Sequence, residues 1–291
     1  MSRIGPRCDQ LVSSRSGDVL RSWMRAALAA GSGGLAGLLA LRYIWFARAA
    51  LPEPVQHGTL TAPAEPEIAV DHVRRGHRRL IIVAHGFLKS MNWRPQVAMV
   101  REAAQRFDVL CFDFPGHGRS GGWADIGYTA AAAALRRVCD HAASLGYDAV
   151  GVVGYSMGAA AAVIAAGQGA PVDAVASVSC PGDPPFMADW RHRPSGWRWV
   201  ARILGTRLAP VLHLEQGPAS LAQKVAPRPL LVVHCGLDTL VREADSQALY
   251  RAALQPKDYV CLPRSAHAWP PAASAEVLRW MDRHLGSAPF D

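Results

Sequence analysis

Three residue types in this chain could together attack an acyl carbon. Ser156 sits in Gly154-Tyr155-Ser156-Met157-Gly158, Asp238 ends Cys235-Gly236-Leu237-Asp238, and His267 ends Pro263-Arg264-Ser265-Ala266-His267. A serine hydroxyl is a weak nucleophile. It needs a base to take its proton and a carboxylate to orient that base. In this assignment Ser156 is the nucleophile, His267 the general acid and base, and Asp238 its orienter. Asp238 also reads as a helix N-cap before Thr239-Leu240-Val241, a role compatible with the first. Asp258 and Asp183 are the substitutes for the orienter. The tetrahedral oxyanion needs two donors. The backbone N–H of Met157, just after the nucleophile, is one. The other is expected from His85-Gly86-Phe87, with the N–H of Phe87 first and that of Leu88 next. The His85 imidazole reads as fixing this loop rather than as a base.

For these groups to meet, each must sit in a loop at one edge of a sheet. The apolar run 149–153 precedes the serine and the small-residue run 159–166 follows it, which predicts strand, tight turn, helix. That turn forces the serine into a strained backbone conformation and tolerates only small flanking residues. The helix N-terminus behind it offers N–H groups to developing negative charge. Further strands are predicted at 79–84, 108–113, 172–178, 230–234 and 259–262, and helices at 92–107, 128–145, 242–254 and 272–285. Continuous apolar strands alternating with helices predict an α/β fold, a mostly parallel sheet covered on both faces. Asp238 and His267 each follow a strand, so they are expected at the same edge as Ser156, where such sheets bind ligands.

With the loop Phe112-Asp113-Phe114-Pro115-Gly116-His117-Gly118-Arg119-Ser120-Gly121-Gly122, these motifs resemble the α/β-hydrolase superfamily over about residues 68–286. The D-x-x-G-H-G-x-S-x-G loop and the Ser-Met-Gly elbow look most like the serine aminopeptidase and monoacylglycerol-lipase-like subgroup. Ala159 is a departure, since many members carry a further glycine there. A serine rather than an aspartate at the elbow argues against the haloalkane dehalogenase and epoxide hydrolase branches. The resemblance implies a serine hydrolase of carboxylic esters, lipid-like or other, acting through an acyl-enzyme with no cofactor and no metal. Acyl transfer to an alcohol or thiol, and amide or peptide cleavage, use the same triad. A membrane-tethered, non-catalytic interaction protein is the reading from another class; the complete set of triad candidates argues against it. The fold also carries a cap, expected at about 183–224. Trp190, Trp197 and Trp199 there, with Leu88 and Trp269, are expected to bind substrate, and Trp93 and Trp123 to lie near the mouth. Interleaved arginines give the lid a basic outer face.

The net charge is +8, yet residues 1–50 hold seven arginines against two acids, a net of +5, which leaves +3 for the rest. No basic stripe with interleaved aromatics runs through the globular part, which excludes a nucleic-acid binder. Residues 26–47 are apolar except for Arg42 near their end, where Tyr43 and Trp45 suit an interfacial belt. They are expected to form an N-terminal hydrophobic helix, a single membrane anchor; a cleaved signal ending near Ala47-Arg48-Ala49 and a packed amphipathic helix are the alternatives. Arginines before the run then place the N-terminus in the cytoplasm and the catalytic domain outside it. Gly31-Ser32-Gly33 with Ala36 follows no strand and makes no dinucleotide site. Residues 1–50 thus read as basic leader and anchor, 51–67, with four prolines, as a linker, and 68–291 as the catalytic domain. None of the six cysteines forms a C-x-x-C pair; Cys111, Cys235 and Cys261 read as small buried hydrophobes, with no disulfide framework.

Overall fold

The apolar runs pair into one eight-stranded sheet in the computed structural model, which describes residues 47–124, 127–182, 202, 206–208, 217–267 and 269–286. Its strands are β1 (Val55–Leu60), β2 (Ile68–Val73), β3 (Arg79–Ala84), β4 (Asp108–Phe112), β5 (Ala149–Tyr155), β6 (Ala174–Val178), β7 (Leu230–Leu237) and β8 (Lys257–Ala266). Their order is β1-β2-β4-β3-β5-β6-β7-β8. β2 runs antiparallel to β1 and β4, and every pairing from β4 to β8 is parallel.

Strand alternation divides the core in two. Leu80, Ile82, Leu110 and Val152 point to one face, covered by α2 (Thr129–Ala143) and α3 (Met157–Gly167). Ile81, Val83, Val109 and Val153 point to the other, covered by α1 (Arg94–Ala103) and α6 (Pro271–Leu285). That two-sided burial is why the central strands read as unbroken apolar runs. α3 is buried on every side from Met157 to Ala166. Its alanines let a fully enclosed helix pack close to the sheet. Beside it lie the short α4 (Pro218–Leu221) and a 3₁₀ turn (Ala222–Val225), and α5 (Glu243–Ala252) covers β7.

The linker expectation is corrected at its centre. β1 lies within residues 51–67, because the prolines bracket the strand rather than interrupt it: Pro52 and Pro54 precede it, Pro63 and Pro66 follow it. β1 is an edge strand, where a flank without ladder partners meets solvent. The domain begins earlier still: Leu51 is buried, and the Ala49 N–H donates to the Asn92 carbonyl at 2.9 Å. Cys111, Cys139, Cys180 and Cys235 are buried free thiols. Cys261, by contrast, is only partly buried and is disulfide-bonded. The expected N-terminal helix at 26–47, apart from Ala47, and most of the lid lie outside the described residues. Among the described residues no helix is long and apolar enough to cross a membrane.

Candidate active site

Ser156 stands between β5 and α3 with φ 52° and ψ −117°, a left-handed conformation that a residue with a Cβ adopts only under constraint. Its N–H donates to the Val178 carbonyl at 2.9 Å, and its carbonyl accepts the N–H groups of Ala159 at 2.9 Å and Ala160 at 3.1 Å. The flanking glycines are dictated by contact. A Cβ on Gly154 would come within 2.7 Å of the Ala159 Cα, and one on Gly158 within 2.7 Å of the His85 oxygen. A side chain at either position would force the elbow to shift. Ala159 is fully buried, one residue past those two contacts, and the helix proceeds through it.

β7 and β8 each run further than their apolar cores predicted, and end on the residues before Asp238 and His267. The two loops meet: His267 Nδ1–H donates to Asp238 Oδ2 at 2.7 Å. The other oxygen, Oδ1, accepts the N–H groups of Leu240 at 2.9 Å and Val241 at 2.8 Å. Asp238 is thus both orienter and turn-former. Burial pushes its carboxyl up, but the hydrogen bond and charge of His267 and the two backbone donors outweigh it and hold the pKa below the ordinary value. The His267 ring lies against Tyr155, the residue before the nucleophile, with centroids 5.2 Å apart. Among the described residues no hydrogen bond joins Ser156 to His267; such bonds are often long before substrate binds. The substitute Asp258 is at the opposite edge, where it is the second residue of β8 and accepts the Trp280 indole N–H at 2.7 Å. Asp183 lies outside the described residues.

The loop after β3 is held by two histidines. His85 Nε2 accepts the Phe114 N–H at 3.0 Å, so Nδ1 carries the proton and donates to the Gly86 carbonyl at 2.8 Å. Burial drives its pKa down to about 4, so it is a neutral fastener and no base at physiological pH. His117 repeats the arrangement: Nε2 accepts the Leu88 N–H at 3.2 Å, Nδ1–H donates to the Pro115 carbonyl at 3.1 Å, and burial takes its pKa to about 3. The Leu88 amide is thereby committed to His117. Asp113 ties the same loops, accepting the N–H of Met91 at 2.7 Å and of Arg119 at 2.8 Å. A Cβ on Gly118 would overlap that carboxylate, which accounts for the second glycine of Gly-His-Gly. The roles of His117 and Asp113 escaped sequence reasoning. Both residues stood in the quoted loop, but their partners are 29 and 22 residues away.

A small recess of about 180 Å³, counted to its open mouth, adjoins Met157; Phe114, His117, Trp123, Ala124 and Ala131 line it. Trp123 thus takes the place at the mouth expected of it. Trp269 does not: it is buried against Tyr155 and donates its indole N–H to Ser274 at 2.7 Å. Trp93 likewise stacks on Tyr155 from inside, centroids 5.4 Å apart. Both brace the floor under His267 instead of lining a pocket. Trp190, Trp197 and Trp199 lie outside the described residues. The described part of the lid region closes one side of the recess: the Ala124 N–H donates to the Arg207 carbonyl at 2.6 Å and the Arg207 N–H to Gly116 at 2.8 Å. Among the described residues no cluster of His, Cys, Asp and Glu could hold a metal ion.

Residues 79–201 match a family model described as alpha/beta hydrolase fold. Solved structures agree. An esterase of Pyrococcus furiosus superposes with a TM-score of 0.63 at 17% identity, covering 80% of this chain and 94% of that one. The esterase domain of a Rhodothermus marinus protein gives 0.61 at 24% identity, covering 80% and 100%. Mouse alpha/beta hydrolase domain-containing protein 10 gives 0.58 at 16%, covering 80% and 100%. The chain matches no curated protein sequence.

Proposed function

From the α/β-hydrolase fold that the chain adopts, we propose that it is a serine hydrolase cleaving carboxylic esters through an acyl-enzyme. The observation that carries this reading is the 2.7 Å bond from His267 to a buried Asp238, beside a serine strained at the head of a buried helix. Asp238 fixes the proton on Nδ1, so Nε2 presents its lone pair for the Ser156 proton. As Ser156 attacks the ester carbon, the N–H groups of Met157 and Phe87 take the oxyanion. His267 then protonates the leaving alcohol. Water, deprotonated by the same nitrogen, releases the acid. The recess beside Met157 suits the acyl group. Two of the neighbours in fold are esterases, in keeping with an ester rather than an amide.

The test is hydrolysis of p-nitrophenyl esters of increasing chain length by the full chain, beside Ser156→Ala. Wild type should turn over the esters, with the chain-length profile reporting the acyl pocket, and the alanine variant should lose orders of magnitude. A variant as active as wild type, or no labelling of Ser156 by a fluorophosphonate, would overturn the proposal.

A further inference from the structure

The wall of the recess beside Met157 is held from outside the loop that forms it. Five of the eight described residues that line the recess belong to the loop after β4, among them His117, Trp123 and Ala124. Residues 116–122 of that loop include four glycines, of which Gly116, Gly118 and Gly122 have positive φ. A segment so rich in glycine loses much backbone freedom on ordering, and it keeps one shape only where other groups fasten it. Its inner limb is fastened by the body of the domain. Asp113 accepts the Arg119 N–H at 2.8 Å, the Gly121 N–H donates to the Glu67 carbonyl at 2.9 Å, and Ser120 Oγ accepts the Ala69 N–H at 2.9 Å. Its outer limb, which carries Trp123, is fastened by Arg207.

Arg207 makes four hydrogen bonds to this loop. Its N–H donates to the Gly116 carbonyl at 2.8 Å, and its carbonyl accepts the Ala124 N–H at 2.6 Å. Its guanidinium donates from Nε to the Gly122 carbonyl at 3.1 Å and from Nη2 to the Ser120 carbonyl. Gly122 and Ala124 flank Trp123, so the indole hangs between two bonds to one residue. Arg207 is fixed in its turn by its neighbours: Thr206 and Leu208 are buried, and Leu208 joins the same core cluster as Ala124. The approach is close enough to dictate a residue type. A Cβ on Gly116 would lie 2.7 Å from the Arg207 carbonyl oxygen and 2.0 Å from the Ala124 nitrogen. Trp123 itself is 54% exposed, so little packing holds it in place.

We propose that Arg207 is a positioning residue for acyl selection: it holds Trp123 at the mouth of the recess, and the acyl group accepted beside Met157 is the one that fits under a fixed indole. This rests on the ester-hydrolase reading above and adds to it a residue that sets specificity from outside the triad. The planar guanidinium reaches two carbonyls at once in a fixed fork, whereas a lysine ammonium is a single point of charge on a flexible stem and holds the limb less firmly.

The test compares the full chain with Arg207→Lys, Arg207→Ala, Trp123→Ala, and Arg207→Lys combined with Trp123→Ala, on p-nitrophenyl esters of increasing chain length. In Arg207→Ala the spread of kcat/KM between the best and worst ester should narrow about tenfold, the low end of what one misfitted methylene costs. Arg207→Lys should narrow it less. In the Trp123→Ala background Arg207→Lys should change the profile no further, because residues that act through one another are not additive. An unaltered profile in Arg207→Ala, a loss by the same factor on every ester, or an equal effect of Arg207→Lys with and without Trp123 would overturn the proposal. So would a wild-type profile with no chain-length preference. Both substituted residues are exposed, and thermal melts report whether each variant is folded; should Arg207→Ala unfold, Arg207→Lys and its combination with Trp123→Ala carry the same comparison. If no ester turns over, rates of Ser156 labelling by fluorophosphonates of increasing alkyl length give the profile instead, since the alkyl group stands where the acyl chain would. No labelling at any length is the failure of the hydrolase reading, distinct from a labelled serine whose preference ignores Arg207.

Discussion

A single methyl group at Gly158 should separate catalysis from folding. The Cβ of an alanine there would lie 2.7 Å from the His85 oxygen and closer still to that of Ala84, where ordinary contact begins at 3.4 Å. Clearing the His85 oxygen alone takes 3.4 − 2.7 = 0.7 Å of retreat, and clearing the Ala84 oxygen takes more. β3 cannot supply it, because Ala84 ends a strand held by β4 on one side and β5 on the other. The N-terminal turn of α3 must move, and it carries the Met157 N–H away from that of Phe87. A misplacement near 1 Å, or loss of one oxyanion donor, each costs on the order of 10² in rate. The two donors act on the tetrahedral state, so kcat should fall roughly 10²-fold while KM changes little. Overpacking should also cost about 1–3 kcal/mol of stability. Gly151→Ala is the control. Its Cβ would meet Met281 Sδ at 2.8 Å and Leu285 Cδ1 at 2.9 Å, flexible side-chain ends at the far end of β5. That variant should lose comparable stability and keep its rate. The assay is p-nitrophenyl butyrate kinetics beside thermal melts. Undiminished kcat in Gly158→Ala, or equal kinetic damage in both variants, would refute the argument.

Other expectations follow from the same geometry. His85 and His117 are neutral in the fold, with pKa values of about 4 and about 3, whereas unfolded histidine titrates near 6.5. Below pH 6.5 the unfolded chain binds protons that the folded chain refuses, so stability should fall as pH drops from about 6.5 towards 4. The melting temperature should show that decline, and His117→Gln should flatten it; an unchanged slope would remove His117 as a contributor. Asp238→Asn keeps an oxygen for the Leu240 and Val241 amides but turns an N–H donor towards His267, favouring the wrong tautomer. By analogy with other triads kcat should fall by about 10⁴ with the fold intact by circular dichroism, and a loss of less than about tenfold would mean that another group orients His267.

How much of this could be read beforehand depends on the range of each interaction. The elbow was legible because its determinants are local: an apolar strand, two glycines barred from carrying a Cβ, and a run of alanines. The meeting of Asp238 and His267 was legible because parallel strands deliver their following loops to one edge, so the two residues needed only to follow strands. β1 was missed because four prolines look like a linker until the sheet shows them bracketing an edge strand. Asp258 competes with Asp238 in sequence, and only strand direction sends it to the opposite edge. Trp269, two residues beyond His267, had the composition of a pocket wall; its buried N–H to Ser274 makes it a brace. The Leu88 amide looked as available as that of Phe87 until His117 claimed it from 29 residues away. Sequence by itself thus determined which residues are the candidates to react and the order of elements that carries them, since both follow from side-chain chemistry and local periodicity. Tertiary structure alone decided that the Leu88 amide is occupied, that Trp93 and Trp269 are buried against Tyr155, and that Ala47 joins the domain beside Trp93, because those depend on contacts between segments that no local pattern encodes.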